Sequence, residues 1–354
     1  QPFARIGIST AWDGLSKYDL NRLNKWYFYR LNEFATQALP KGILLFNEHY
    51  FQHNILEAGA HWVDCPWRSA NNINHTGFPE PVPFTGDKRI FTAQRFYDIS
   101  NDTLRQLHRQ YIRMTLDALK DHPNVIHSIG EEFTGPLHFV RFWLDCISEW
   151  EKNTGEKALI ALAVNKDVQD SILQDKQRSQ VVNIIDIEQW FYHNKGIYAP
   201  PGGVNLAPRQ YSRKIKAGQA RFEDVYRAVL EYRKMYPDKA VVYYAQKYPE
   251  LGWAVLMAGG SCPVVPITQQ DILQSIANMK PMMMPDDSQT YVLGSNNELL
   301  VYKLDHAGVT LPATNHIVYQ VYEIDAQSGI TVSKATWTAD KPFTGKGIFW
   351  LKRK

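Results

Sequence analysis

The chain has 354 residues, of which 44% are hydrophobic and 21% charged, which is the composition of an ordinary globular protein with room for one large domain and a smaller one. Its 39 basic and 36 acidic residues give a net charge of +3, and this balance gives no reason to expect a nucleic-acid partner. No apolar run approaches the roughly 18 residues that a membrane span needs.

The cysteine and histidine patterns indicate neither a disulfide framework nor a metal site. Cys65, Cys146 and Cys262 are too few to pair completely and lack the spacing of metal ligands, so we expect buried free thiols. Neither a zinc-binding H-E-x-x-H motif nor a G-x-S-x-G nucleophile elbow occurs. We therefore expect no metal and no other cofactor.

The first 285 residues alternate between short apolar runs, which predict strands, and segments with helical spacing. The predicted strands are residues 3–9, 42–46, 125–129, 158–164, 181–187, 240–245 and 261–266. The predicted helices are residues 20–38, 102–119, 137–150, 222–236 and 251–258, with a loop at residues 17–19. This alternation predicts a parallel sheet with crossover helices.

Polar and aromatic side chains follow these strands, as a (β/α)₈ TIM-type barrel requires. Seven strands are recognisable, so we expect the first barrel strand to lie upstream of this chain. The alternative, a doubly wound open sheet, lacks a glycine-rich phosphate turn after its first strand. A long segment, residues 61–96, is rich in Trp and Phe and predicts an ordered loop that walls a site.

After residue 285 the pattern changes to short strands separated by turns, which predicts a small antiparallel β-sandwich. We therefore predict two domains, a barrel over residues 1–285 and a β-sandwich over residues 286–354.

The most informative stretch is residues 124–136, where a buried strand ends in Gly130 and is followed by Glu131 and Glu132. Acidic residues at the carboxyl end of a barrel strand are typical of catalytic sites. Neighbouring side chains of a strand point to opposite faces, so one of the two glutamates faces the barrel mouth and the other supports it. The alternative is a carboxylate that caps the next helix.

With residues 3–9 counted as the second barrel strand, the glutamate pair ends the fourth strand and Gln246 follows the seventh. This arrangement resembles the clan of retaining glycoside hydrolases built on (β/α)₈ barrels. Residues 18–26, 51–54 and 253–260, with the terminal strands, also resemble bacterial barrel proteins of polysaccharide-degrading loci that carry a C-terminal β-sandwich. The resemblance implies that Glu132 is the acid/base and that Glu131 replaces the usual Asn.

The resemblance also implies a nucleophilic glutamate at position 246, but a Gln amide is neither a nucleophile nor a base. Three interpretations stay open. Gln246 replaces a catalytic residue to trap substrate, the chain is a natural relative with altered chemistry, or Glu188 or Glu250 supplies the second carboxylate. Glu250 also fits an acid in the first turn of a helix.

Other polar and aromatic residues after the strands are candidates for substrate binding. Their aromatic rings could stack on sugars, and an arginine could hold a uronate carboxylate through two hydrogen bonds. Core packing is the alternative for the aromatic residues, loop hydrogen bonding for the polar ones, and a surface salt bridge for the arginines. The candidates are Glu48, His53, Asn54, Trp67, Arg68, Trp190, Tyr192, Arg209 and Tyr244.

The first hypothesis is a hydrolase that cleaves a glycosidic bond in a complex polysaccharide, using Glu132 and a second carboxylate. The second is a polysaccharide lyase, in which Arg68 or Arg209 would neutralise a uronate and His53 or Tyr50 would remove a proton. The third is a non-catalytic glycan-binding protein. All three expect an oligo- or polysaccharide partner and a secreted protein, in the periplasm or outside the cell. Gln1-Pro2-Phe3 looks like the start of a mature or truncated chain.

Overall fold

The computed structural model of the chain describes residues 1–51, 55, 62–80, 88–130, 133–187, 190–193, 196–198, 220–243, 249–285, 288–313 and 315–354. The chain divides into two compact units. The first contains residues 1–190 and 197–217, and the second contains residues 191–196 and 218–354.

The first unit opens with an antiparallel pair, β1 (Phe3–Thr10) and β2 (Ser16–Leu23), followed by helix α1 (Lys25–Ala38). The predicted loop at residues 17–19 and helix start at residue 20 are wrong, because Tyr18 and Leu20 are buried at the two-residue spacing of a strand. The helix begins only after Asn24, whose side chain accepts hydrogen bonds from the backbone N–H of Trp26 and Tyr27.

Four parallel strands follow and lie side by side in chain order: β3 (Leu45–Tyr50), β4 (Val125–Gly130), β5 (Leu159–Ala163) and β6 (Ile184–Ile187). The prediction of a parallel sheet with crossover helices is thus confirmed. Strand β1 pairs antiparallel with β2, so counting residues 3–9 as a barrel strand is wrong.

Helices alternate with these strands: α2 (Lys88–Phe96), α3 (Asp102–Leu119), α4 (Leu137–Thr154), α5 (Lys166–Gln174) and α6 (Lys176–Ser179). Helix α3 follows its predicted bounds because its buried residues recur every three or four positions and Asn101 caps its first turn. Every residue of β4 is buried, as expected for a strand with helices or other side chains on both faces.

The second unit contains helices α7 (Phe222–Met235), α8 (Pro249–Met257) and α9 (Gln270–Ala277), with strand β9 (Ala240–Tyr243) between the first two. Strands β7 (Phe191–His193) and β8 (Gly196–Tyr198) precede them in the chain. The strand predicted at residues 261–266 is wrong. Pro263 and Pro266 have no N–H for a ladder, and Cys262 has a positive φ of 50°.

The remaining strands join one antiparallel sheet of six, in the order β10-β11-β12-β15-β13-β14. They are β10 (Lys280–Met282), β11 (Thr290–Gly294), β12 (Glu298–Lys303), β13 (Val318–Ile324), β14 (Thr331–Thr338) and β15 (Gly347–Arg353). The antiparallel strands expected after residue 285 are thus present. One face of the sheet covers a cluster that includes Val301, Val321, Phe343 and Leu351. No helix in the described ranges is long and apolar enough to cross a membrane.

Candidate functional site

The carboxyl ends of β3, β4, β5 and β6 lie together, and sites of α/β proteins form at this edge. The parallel register pairs Glu48 with Ser128 and Ala163 with Asp186, and the pair Ile126 and Leu159 connects the same face of β4 to that of β5. Because paired residues of adjacent strands point to the same side, Glu48, Ser128, Ala163 and Asp186 share one face of the sheet. We call these four residues, with Ala161 of β5, the acid face.

The opposite face carries a chain of hydrogen bonds between buried rings. Trp143 of α4 donates from Nε1 to Nδ1 of His49 at 3.2 Å, and Nε2 of His49 lies 3.1 Å from Nδ1 of His127. An indole N–H only donates, so the proton of His49 is on Nε2 and is donated to His127. Burial lowers the pKa of His49 well below its usual value and lowers the pKa of His127 to about 4. Both rings are therefore neutral, and they tie β3 and β4 to α4.

A second chain of hydrogen bonds between buried side chains connects the end of β3 to α3. Nε2 of His108 donates to the Phe96 carbonyl at 2.9 Å, so its Nδ1 accepts from the Tyr50 hydroxyl at 3.0 Å. The Trp67 ring stacks on His108 with centroids 4.5 Å apart. This aromatic cluster holds Tyr50, the last residue of β3, against α3.

A cleft of about 370 Å³ lies beyond the end of β3, and Glu48 and Trp67 are among its lining residues. Trp67 is only 5% exposed, because Phe3 and Phe96 pack against its edges. The structure thus places both predicted residues at one cleft, with most of the Trp67 ring taken up by packing.

Arg68 is held by Glu80. Nε of Arg68 lies 3.0 and 3.1 Å from the two carboxylate oxygens, Nη2 lies 2.8 Å from Oε2, and Nη1 donates to the Val63 carbonyl at 3.1 Å. This carboxylate occupies the side of the guanidinium that a uronate would need.

The two predicted aromatic residues near β6 are engaged in different contacts. Trp190, 2% exposed, donates from Nε1 to Oε1 of Gln169 at 3.0 Å. Tyr192 belongs to the second unit, where its hydroxyl contacts Glu231 and the Arg227 guanidinium lies 3.8 Å from the centre of its ring. Both aromatic side chains are therefore packed against protein groups.

The remaining predicted site residues lie outside the described residues, and their predictions stand as made. They are Glu131, Glu132, Glu188, Gln246, His53, Asn54, Arg209 and Tyr244.

Two polar residues that the sequence analysis did not single out lie at the same edge. Asn165, just after β5, is fully buried, and within the described ranges neither its Oδ1 nor its Nδ2 has a hydrogen-bond partner. Burial raises the pKa of Asp186 on β6 to about 7. The sequence contained a signal for Asp186, because it is a single carboxylate inside the apolar run Ile184-Ile-Asp-Ile187. Nowhere in the described ranges do three His, Cys, Asp or Glu side chains form a group suited to a metal ion.

Solved structures resemble this architecture. One, titled "Glycoside hydrolase", aligns with a TM-score of 0.50 and 11% sequence identity over 92% of this chain and 89% of its own. A glycoside hydrolase family 5 structure from Bacteroides vulgatus aligns with a TM-score of 0.42 and 11% identity, over 70% of this chain and 67% of its own. The first alignment shows a glycoside hydrolase-like fold.

No curated protein matches the chain in sequence. The model of one family, Domain of unknown function (DUF6298), matches residues 1–279. That match spans most of the chain, including the buried hydrogen-bonded histidines and the acid face, and the chain therefore belongs to the DUF6298 family.

Proposed function

We propose that the protein is a glycoside hydrolase that cleaves a glycosidic bond in an oligo- or polysaccharide by carboxylate acid/base chemistry. One observation carries the proposal, namely the register that places Ser128 of β4 on the acid face with Glu48 and Asp186. If the alternation of β4 continues past Gly130, position 132 falls on this same face and position 131 on the face of the histidines. The glycoside hydrolase-like fold supports the same reaction class.

Glu132 is then the acid/base, and Glu131 supports it from the opposite side. Hydrolysis needs a second carboxylate whose protonation state differs from that of the first. If the alternation of β6 also continues past Ile187, position 188 falls on the face of positions 184 and 186, which favours Glu188. In this proposal Gln246 occupies the position of the missing strand-seven nucleophile and does no proton chemistry.

We also propose that the parallel strands close into a (β/α)₈ barrel over residues 1–285. The strands after residue 286 would then form an accessory β-sandwich. Since polymeric glycans are met outside the cytoplasm, we propose a secreted protein.

The test is release of reducing ends from a panel of plant and microbial polysaccharides. Glu132→Gln should lower kcat by about 10²- to 10⁴-fold, the usual contribution of general acid/base catalysis. Glu131→Gln is the matched control and should lower kcat less. Gln246→Glu tests the substituted-nucleophile interpretation, which predicts a gain in hydrolysis.

Other outcomes would reject the proposal. A product that absorbs as an unsaturated sugar would identify a polysaccharide lyase. Since Glu80 already holds Arg68, the lyase would then depend on Arg209 to neutralise the uronate. Glycan binding without turnover in the wild type and in Gln246→Glu would identify a non-catalytic binding protein.

A further inference from the structure

We propose that Asn165 and Asp186 form a binding subsite for a neutral sugar and hold two neighbouring hydroxyl groups of one ring. The proposal rests on the proposed function in that it names the substrate class of the same sheet edge.

Asn165 has the position of a helix cap but does not act as one. It precedes α5 as its N-cap residue, where an Asn side chain normally accepts a hydrogen bond from the first turn, and its side chain makes no such bond. Asn165 is fully buried, and both polar atoms of its amide lack a hydrogen-bond partner among the residues that the structure describes. Buried polar atoms in folded proteins are nearly always hydrogen-bonded, so an orphaned amide at a candidate site indicates a group that arrives with a ligand.

Asp186 lies on β6, the strand next to β5, and Asn165 follows β5 in the chain. Its direct neighbour on β5 is Ala163, two residues before Asn165. Gln169 fixes this geometry, since its Nε2 donates to the carbonyls of Leu162 and Asp186 at 2.8 and 3.0 Å. Both groups therefore occupy the carboxyl ends of adjacent strands.

The charge near Asp186 suits an uncharged ring. Ala161 and Ala163 present only methyl groups on the same face. Burial alone raises the pKa of the Asp186 carboxyl, and no cation among the described residues opposes this rise. The amine of nearby Lys166 lies instead 3.1 Å from Asp170 and 4.8 Å from the centre of the Trp190 ring.

The donors and acceptors match a vicinal diol. An Asn amide offers one acceptor oxygen and a donor nitrogen, and a carboxyl group can accept or donate. Each sugar hydroxyl also donates and accepts, so two adjacent hydroxyls can satisfy the amide while one of them contacts Asp186. A uronate would bring a second negative charge to a place where the described residues supply no cation.

The test measures binding of cellotetraose, xylotetraose, mannotetraose and tetragalacturonate by calorimetry, in a Glu132→Gln background that prevents turnover. At least one neutral tetrasaccharide should bind, and Asn165→Ala and Asp186→Ala should each weaken it by about tenfold, the loss expected for one good hydrogen bond. Asn101→Ala is the matched control, because Asn101 caps α3 through a bond to the Leu104 N–H. It should lower Tm and keep affinity, whereas Asn165→Ala should keep or raise Tm.

Three results would overturn the subsite: no binding of any neutral tetrasaccharide, unchanged affinity in Asn165→Ala, or tighter binding of tetragalacturonate. The two proposals fail separately. Binding that depends on Asn165 in a wild type that never hydrolyses the sugar refutes only the hydrolase. Hydrolysis with a KM that neither Asn165→Ala nor Asp186→Ala changes refutes only the subsite.

Discussion

At the scale of single residues, the buried histidines His49, His108 and His127 support the fold at neutral pH and lower its stability at acidic pH. Each ring is neutral in the folded protein because burial lowers its pKa, to about 4 for His127 and about 3 for His108. In the unfolded chain each would titrate near the ordinary value of about 6.5. The unfolded state therefore binds more protons below that pH.

We predict that these histidines stabilise the fold most above about pH 6.5 and that their contribution falls as the pH drops from there towards 4, while the raised pKa of Asp186 acts in the opposite direction. At pH 5 the contribution of His127 alone is a loss of about 2 kcal/mol, since each unit of pKa difference corresponds to about 1.4 kcal/mol. Urea unfolding at pH 7.5 and 5.0 measures the difference.

His127→Gln should show a smaller difference between the two pH values. Ser128→Ala, one position along the same strand, removes no titratable group and should behave as the wild type does. An equal difference between the two pH values in the wild type and in His127→Gln would contradict the neutral assignment of His127.

Residue roles were the least predictable part of the site. The sequence predicted that Trp67 lies on a long loop that walls a site and that Trp190 follows a strand. Whether an indole stacks on a sugar or packs in a core depends on its neighbours, and only the structure shows His108 and Gln169 against these rings. Asn165 escaped notice because its distinguishing property, an amide without partners, exists only in three dimensions.

At the scale of elements, the sequence predicted best where one pattern acted alone. Helix α3 has a long apolar stripe and a clear cap, so both of its ends follow from the sequence. Strand β2 was misjudged because its short alternation runs directly into the apolar spacing of α1. The strand order and register that define the acid face depend on pairing between distant segments, which local patterns do not encode.

The pairing of β3 with β4 depends on Gly130. A Cβ atom at this position would lie 2.4 Å from the Tyr50 carbonyl oxygen, closer than any real contact. We predict that Gly130→Ala forces the ends of the two strands apart and lowers stability by about 1–3 kcal/mol, the usual cost of overpacking. Thermal unfolding measures this loss.

Gly196→Ala is the matched control, since among the described residues its Cβ would meet the His193 carbonyl alone, at an ordinary 3.7 Å. A Gly130→Ala protein as stable as this control would show that the strand ends separate without cost.

At the scale of the whole molecule, helices of the second unit pack directly against the antiparallel sheet and its turns. Nε1 of Trp253 in α8 donates to the Ala326 carbonyl at 3.1 Å, and Gln269 donates to the Gly329 carbonyl at 3.2 Å. Phe222 of α7 packs on the rings of Tyr291 and Tyr302. Helices before residue 280 thus depend on strands after it.

We predict that a chain truncated after residue 285 loses cooperative unfolding, because the rings of Phe222 and Trp253 lose their cover. Solubility, binding of a hydrophobic dye and a thermal melt measure the effect. Supplying residues 286–354 as a separate chain should restore part of the signal. A truncated chain that is soluble and melts in one sharp transition would contradict this dependence.

The turn at Asp325–Gly329 also bears on how such proteins can be recombined. The family match stops at residue 279, yet the Gly329 backbone sits so close to Pro266 that an added Cβ would lie 2.3 Å from the Pro266 oxygen. A chimera joined at residue 279 would combine the Asp325–Gly329 turn of one parent with the Pro266 backbone of the other. Exchanges between relatives should therefore carry residues 218–354 together, with the junction before α7, so that Phe222 keeps its contacts with Tyr291 and Tyr302.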